Sequence, residues 1–145
     1  MSSARLDRLE TQAPASSYDG IDAMLADARS RLERISPRRA FQELLTSDAV
    51  LVDIRPAAQR AEEGEVAGWL PVLVVERNVL EWRFDPRSDA SLSIAAFDRR
   101  VIVLCQEGYT SSLAADSLQR LGIDRATDVV GGFAAWLRDG MPAAE

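Results

Sequence analysis

The stretch VIVLCQEGYTSSLAADSLQRLG, Val101 to Gly122, decides the fold. Its first four residues are apolar and mostly β-branched, the composition of a strand buried on both faces of a parallel sheet. Gln106 to Thr110 are too polar to continue that strand, and Gly108 lets the backbone curl. Thr110 to Leu121 reads as a helix stopped by Gly122. Cys105, the single cysteine of the chain, therefore sits between the carboxyl end of a strand and the start of a helix, where open α/β sheets bind their ligands.

The same alternation extends in both directions. Upstream, Ser36-Pro37 is a helix start leading into Arg38–Leu45, with Ser36 as N-cap and Pro37 at the first helical position. Ala49–Ile54 is an apolar run broken only by Asp53 and reads as a strand. Pro56 opens a short helix that Gly64 ends. Leu70–Val75 reads as a second strand and Asn78–Trp82 as one helical turn. Downstream, Arg125–Val130 reads as a further strand and Phe133–Arg138 as a last helix after Gly131-Gly132. Strands alternating with helices predict an α/β fold, a small parallel sheet flanked by helices on both faces. Ahead of it, residues 1–18 are polar and aperiodic and are expected to be disordered. Residues 19–35 place Ile21, Met24, Leu25, Ala28, Leu32 and Ile35 on one face of an amphipathic helix, an extension expected to pack on the domain at 36–143. Trp69, Trp82 and Trp136 read as core aromatics.

The chain has 145 residues, enough for one domain and a short extension. Its net charge of −6 argues against a nucleic-acid surface, which needs a basic stripe. Every cation is an arginine. No apolar segment is long enough to span a bilayer, and the N-terminus lacks the apolar core of a secretory signal, so a reducing cytoplasm is the expected compartment. Histidine is absent, which removes the commonest general base and zinc ligand. One cysteine cannot form an intrachain disulfide or a cysteine-rich metal site. Cys105 is thus packing, an intermolecular thiol, or a nucleophile that needs no histidine.

The residues after it favour the nucleophile. Successive N–H groups of Gln106, Glu107, Gly108, Tyr109, Thr110 and Ser111, followed by a helix N-terminus carrying partial positive charge, make an anion-binding nest around the thiol and stabilise a thiolate.

CQEGYTSS, with cysteine, glycine three residues later and threonine two after that, resembles the active-site loop of the rhodanese family of sulfurtransferase domains. LVDIR (Leu51–Arg55) resembles that family's Asp-x-Arg strand motif. GEVAGW (Gly64–Trp69) stands in the place of its Gly-His-Ile-Pro-Gly-Ala motif. VVGGFAAWLRDGMP (Val129–Pro142) resembles its closing Gly-Gly, Trp, Gly-x-Pro signature. The resemblance covers Ile35 to Pro142 and implies a single-domain sulfurtransferase. Cys105 would take a sulfane sulfur from a donor such as thiosulfate or a persulfide, carry it as a persulfide held by the N–H groups from Gln106 to Ser111, and pass it to cyanide, another thiol or a protein acceptor, with no metal or organic cofactor. Asp53 and Arg55 would position the loops beneath the site.

Three departures modify that expectation. Glu107 stands where thiosulfate-using relatives often place basic residues, and a carboxylate there repels a dianion. Gln59 replaces a glutamate that commonly pairs with the arginine of Asp-x-Arg, so Arg55 needs another partner. Glu65 and Ala67 replace the histidine and proline of the glycine-rich motif. In ERNVLEWRFDP (Glu76–Pro86), Arg77 and Arg83 are candidates for the pocket rim, with local pairing to Glu76, Glu81 and Asp85 as the alternative reading. Other functions compete. A cysteine phosphatase needs an arginine six positions after the cysteine, and Ser111 stands there. A non-catalytic binding module on the same fold and a redox-sensing thiol are the remaining alternatives.

Overall fold

The apolar runs become the four strands of one parallel sheet in this computed structural model, which describes residues 13–145. The elements are α1 (Ile21–Ser30), α2 (Pro37–Thr46), β1 (Val50–Asp53), α3 (Ala57–Glu63), β2 (Val72–Val74), a 3₁₀ turn (Arg77–Val79), α4 (Leu80–Phe84), β3 (Val101–Leu104), α5 (Thr110–Arg120), β4 (Thr127–Asp128) and α6 (Gly132–Arg138). The strand order is β2-β1-β3-β4, with all pairs parallel. From β1 the chain crosses to one side of the sheet, and from β3 to the other. The carboxyl ends of these two central strands therefore flank the switch point, where loops diverge and leave a crevice.

Period-two alternation assigns the two cores. Val50, Val52, Val101 and Val103 face α4 and α5, packing with Leu80, Phe84, Ala114, Ala115 and Leu118. Leu51, Ile102 and Leu104 face α2 and α6, packing with Ala40, Leu44, Phe133 and Trp136. Every residue of β1 and β3 is buried, as their near-continuous apolar runs require, with Asp53 the one charged residue among them. Ser36 caps α2 as its type predicts, its Oγ accepting from Arg39 N at 3.1 Å, with Pro37 in the first turn. Trp136 is wholly buried, but Trp69 and Trp82 are exposed, contrary to their reading as core aromatics. Trp69 contacts Phe41 edge-on at the outer end of an aromatic row that Phe41 continues to Trp136.

The helix expected over 19–35 spans only Ile21–Ser30. Beyond it the chain extends, because Ile35 bridges to Val129 beside β4: Ile35 N donates to Asp128 O at 3.2 Å and Val130 N to Ile35 O at 2.8 Å. Strand-like pairing thus overrides the helical period. α1 packs on α5 through Leu25 and Ala28. Its docking is reinforced by Arg31, which forks onto Asp116 of α5 at 2.6 and 2.9 Å and also pairs with Asp27. The Arg31 guanidinium holds the Asp116 carboxyl below the usual carboxylate range. The disorder expected of residues 1–18 falls mostly on residues 1–12, outside the described region; after them, Ser17 turns back onto Pro14 O and Tyr18 donates to Asp27 at 2.6 Å.

Candidate active site

Cys105 follows β3 directly and is 5% exposed. It lines a cleft of about 590 Å³ at the switch point, together with Ile54, Arg55 and Pro56 after β1, Glu76 and Arg77 after β2, and Gln106, Glu107, Tyr109 and Thr110 of its own loop.

The loop is held by its carbonyl groups. Phe133 N donates to Cys105 O at 2.8 Å and Ala134 N to Gln106 O at 2.9 Å. Gly108 O accepts from two guanidinium groups, Arg29 Nη2 at 2.7 Å and Arg34 Nη2 at 2.9 Å. Every described peptide is trans, so a carbonyl anchored on one side leaves the N–H of the next residue pointing to the other. The N–H groups of Gln106, Glu107 and Tyr109 are turned away from those anchors. Ser111 N, in the first turn of α5, donates to Cys105 Sγ at 3.3 Å. The anchored carbonyls thus leave the N–H groups of Gln106, Glu107 and Tyr109 on the other side of the loop from α6 and the two arginines.

Two glycines permit this closeness. Gly108 has φ +83°, and a Cβ there would lie 2.7 Å from Gly131 N. Gly132 has φ +61°, and a Cβ would press into the Cys105 carbonyl and lie 2.7 Å from the Gln106 backbone. The Gly-Gly pair is thus the surface on which the cysteine loop rests. Gly132→Ala is expected to destabilise the protein by about 2–3 kcal/mol, from the left-handed backbone and the backbone overlap together. Urea unfolding measures this; a loss below about 0.5 kcal/mol would show that the two loops separate easily.

Arg55 is buried beneath the loop and fully engaged. Nε and Nη2 fork onto Asp53 at 3.0 and 2.7 Å, Nη2 also donates to Gly64 O at 2.9 Å, and Nη1 donates to Gln106 Oε1 at 3.0 Å. Its guanidinium lies 4.3 Å from the centre of the Phe133 ring. The partner it lacks at Gln59 is supplied one turn further along α3 by Glu63, at 3.5 Å. Asp53 and Arg55 therefore orient Gln106 and join the β1 loop to the cysteine loop.

The two rim candidates separate. Arg77 lines the cleft, but its Nη1 is held by Glu81 at 2.8 and 2.9 Å. Arg83 points elsewhere, donating to Ala90 O at 2.6 Å beside a different depression. Asp85, one of the carboxylates expected to pair locally, pairs with Arg87. The helical turn places Arg77 and Arg83 on different faces, so Arg83 is removed from the rim. Glu63, Glu76 and Glu107 also line the cleft, and its two guanidinium groups are already matched by carboxylates.

Asp128, Arg29 and Arg34 were not legible as site residues. Asp128 is wholly buried and its Oδ2 accepts from Ser111 Oγ at 2.7 Å and Ser112 Oγ at 2.8 Å. The only sequence signal was a carboxylate within the strand expected over Arg125–Val130. Among the described residues, no three His, Cys, Asp or Glu side chains are grouped to hold a metal, and no helix is long and apolar enough to cross a membrane.

The model of the Rhodanese-like domain family matches residues 37–139. The chain is 32% identical over 108 residues to the thiosulfate sulfurtransferase GlpE of Actinobacillus succinogenes, covering 74% of this chain and 86% of that protein. It is 32% identical over 98 residues to a sulfurtransferase of Allochromatium vinosum, covering 67% and 79%. Among solved structures, a Rhodopseudomonas palustris protein of unknown function, described as a possible tyrosine phosphatase, superposes with a TM-score of 0.78 at 30% identity, covering 92% of this chain and all of that one. The human single-domain sulfurtransferase TSTD1 shares the fold, with a TM-score of 0.60 at 20% identity over 72% of this chain and 95% of its own.

Proposed function

The chain belongs to the rhodanese-like domain family and is a sulfurtransferase, and from that premise we propose that Cys105 is its sulfur carrier. The observation that supports this most directly is the loop around Sγ, with Ser111 N donating to the sulfur and the carbonyls of Cys105, Gln106 and Gly108 anchored away from it.

The Cys105 thiolate attacks the outer sulfur of the donor. The new S–S bond forms as the donor's own bond to that sulfur breaks; with thiosulfate, sulfite leaves with the bonding pair. The persulfide on Cys105 is anionic, and N–H groups from Gln106 to Ser111 stabilise it as an oxyanion hole stabilises an alkoxide. An acceptor, cyanide or a thiol, then attacks the outer sulfur, and the Cys105 thiolate departs regenerated. No proton has to be moved by a base at the sulfur, consistent with a chain that has no histidine. Asp53 and Arg55 act by orienting Gln106. Such a relay needs a reduced thiol, and we place it in a reducing cytoplasm.

The charge of the cleft bears on the donor. Three carboxylates line it, while Arg55 and Arg77 are each paired. A donor less negative than thiosulfate, such as the persulfide of a small thiol or of a protein, meets less repulsion. Glu107→Arg is accordingly expected to raise kcat/KM for thiosulfate roughly tenfold, with a gain that shrinks as salt increases. A neutral persulfide donor should gain little. An unchanged thiosulfate rate at low salt would show that Glu107 turns away from the incoming donor.

Intact-protein mass spectrometry tests the relay itself. Reduced protein incubated with thiosulfate, 3-mercaptopyruvate or a persulfide should gain one sulfur atom and lose it on addition of cyanide. A folded protein that no donor loads would instead support a binding module. A phosphatase reading lacks its gripping arginine, since Ser111 occupies that position.

A further inference from the structure

We infer that Arg29 and Arg34, which precede the segment matching the family model, are positioning residues of the sulfur-carrying loop: together they hold and polarise the Gly108 carbonyl, aiming the Tyr109 N–H at the outer sulfur of the Cys105 persulfide. This deepens the reading of Cys105 as sulfur carrier and rests on it.

Arg29 lies on the last turn of α1. Its Nη2 donates to Gly108 O at 2.7 Å, its Nε to Ser112 Oγ at 3.0 Å, and its guanidinium carbon lies 5.7 Å from the centre of the Tyr109 ring. Arg34 lies in the extended segment after α1. Its Nη2 donates to the same Gly108 oxygen at 2.9 Å, while Nε and Nη2 fork onto Asp128 at 2.9 and 3.2 Å. Asp128 in turn accepts from Ser111 and Ser112, and Ser111 N touches the Cys105 sulfur. Two routes thus lead from the extension to the reacting atom, one through a peptide and one through a buried carboxylate.

The peptide route has electronic consequences. A carbonyl oxygen carries two lone pairs, and charged donors here approach it from two side chains. Charge-assisted bonds are roughly twice as strong as neutral ones, and hydrogen bonds in series polarise one another. Electron density drawn toward Gly108 O makes the Tyr109 N–H of the same peptide a better donor. The trans geometry points that N–H away from the arginines. Both effects favour an anion on the sulfur side of the loop. The extension is then part of the reaction site rather than an appended helix.

Docking of α1 can be separated from positioning of the loop. Arg31 belongs to the same segment and anchors it on Asp116, its hydrogen bonds and ion pairs going to Asp116 and Asp27 rather than to the loop. The test compares the full-length parent with R29Q, R34Q, R29Q/R34Q, R34K and R31Q. It follows urea stability, the rate of Cys105 alkylation by iodoacetamide at fixed pH, single-turnover sulfur loading from a persulfide donor, and the ¹⁵N shift of the Tyr109 amide. In R29Q/R34Q, alkylation is expected to slow about tenfold and the maximal loading rate by about ten- to hundredfold, with the donor concentration at half-rate changing less than about threefold. The Tyr109 shift should move, and R34K should recover part of the rate of R34Q. R31Q should lose stability but keep both rates. The inference is overturned if R29Q/R34Q folds with parent rates and an unmoved Tyr109 shift, or if R31Q slows the chemistry equally. If the double variant does not fold, R29Q carries the test, because Arg34 still neutralises Asp128. A parent that no donor loads would sink the sulfur-carrier reading, while alkylation rates and the Tyr109 shift would still decide the positioning role.

Discussion

Cys105→Ser is expected to lower sulfur transfer by on the order of 10⁴-fold or more, to the background of the uncatalysed donor and acceptor reaction. The chain contains no second cysteine to take over, and a serine hydroxyl neither ionises at neutral pH nor forms a persulfide. The fold should tolerate the change well, since Ser111 N can donate to the smaller oxygen, so a melting temperature within a few degrees of the parent accompanies the loss. Mass spectrometry should show no sulfur adduct on the variant under conditions that load the parent. Retained turnover in Cys105→Ser would mean that the sulfur passes directly from donor to acceptor in the cleft, and the relay would have to be abandoned.

Arg55→Ala should have the largest effect on stability, a loss of about 3–5 kcal/mol. The Asp53 and Arg55 side chains are 3% and 1% exposed, so removing the guanidinium leaves a carboxylate in the interior without its charged partner. The same change frees Gln106 and removes the contact with Phe133, so activity should fall along with stability. Arg55→Met combined with Asp53→Asn should recover part of the stability, because the interior then holds no lone charge and only the partly exposed Glu63 loses a partner, but not the activity, since Gln106 remains unheld. Urea unfolding of the three proteins measures this. A single-variant loss under about 1 kcal/mol would show that water reaches Asp53 readily.

The sequence was most informative where structure is locally encoded. The runs at Val50–Asp53 and Val101–Leu104 announced buried parallel strands because every position of them is apolar or ends a strand, and Ser36-Pro37 and Gly122 marked helix ends through turn chemistry that acts over a few residues. The cysteine loop was legible for the same reason. The helix 19–35 was overextended because Leu32 and Ile35 continue the helical period by position, yet Ile35 is buried by pairing with Val129 and Leu32 by packing into the core on the α5 side of the sheet. Trp69 and Trp82 were misplaced because a bulky apolar side chain carries no mark of whether the packed chain covers it.

What the sequence by itself determined was therefore the order of elements, the α/β class, the position of Cys105 at the carboxyl end of a central strand, and the absence of any histidine-based chemistry. The partners were decided only in three dimensions. Arg29 and Arg34 reach Gly108 across 79 and 74 positions of chain, Arg34 reaches Asp128 across 94, and Glu63 rather than Gln59 faces Arg55. Hydrophobic period and capping act between near neighbours and so survive in a linear reading. Which guanidinium meets which carbonyl depends on how α1 lies on α5 and how β4 registers beside β3, and those relations exist only once the chain has packed.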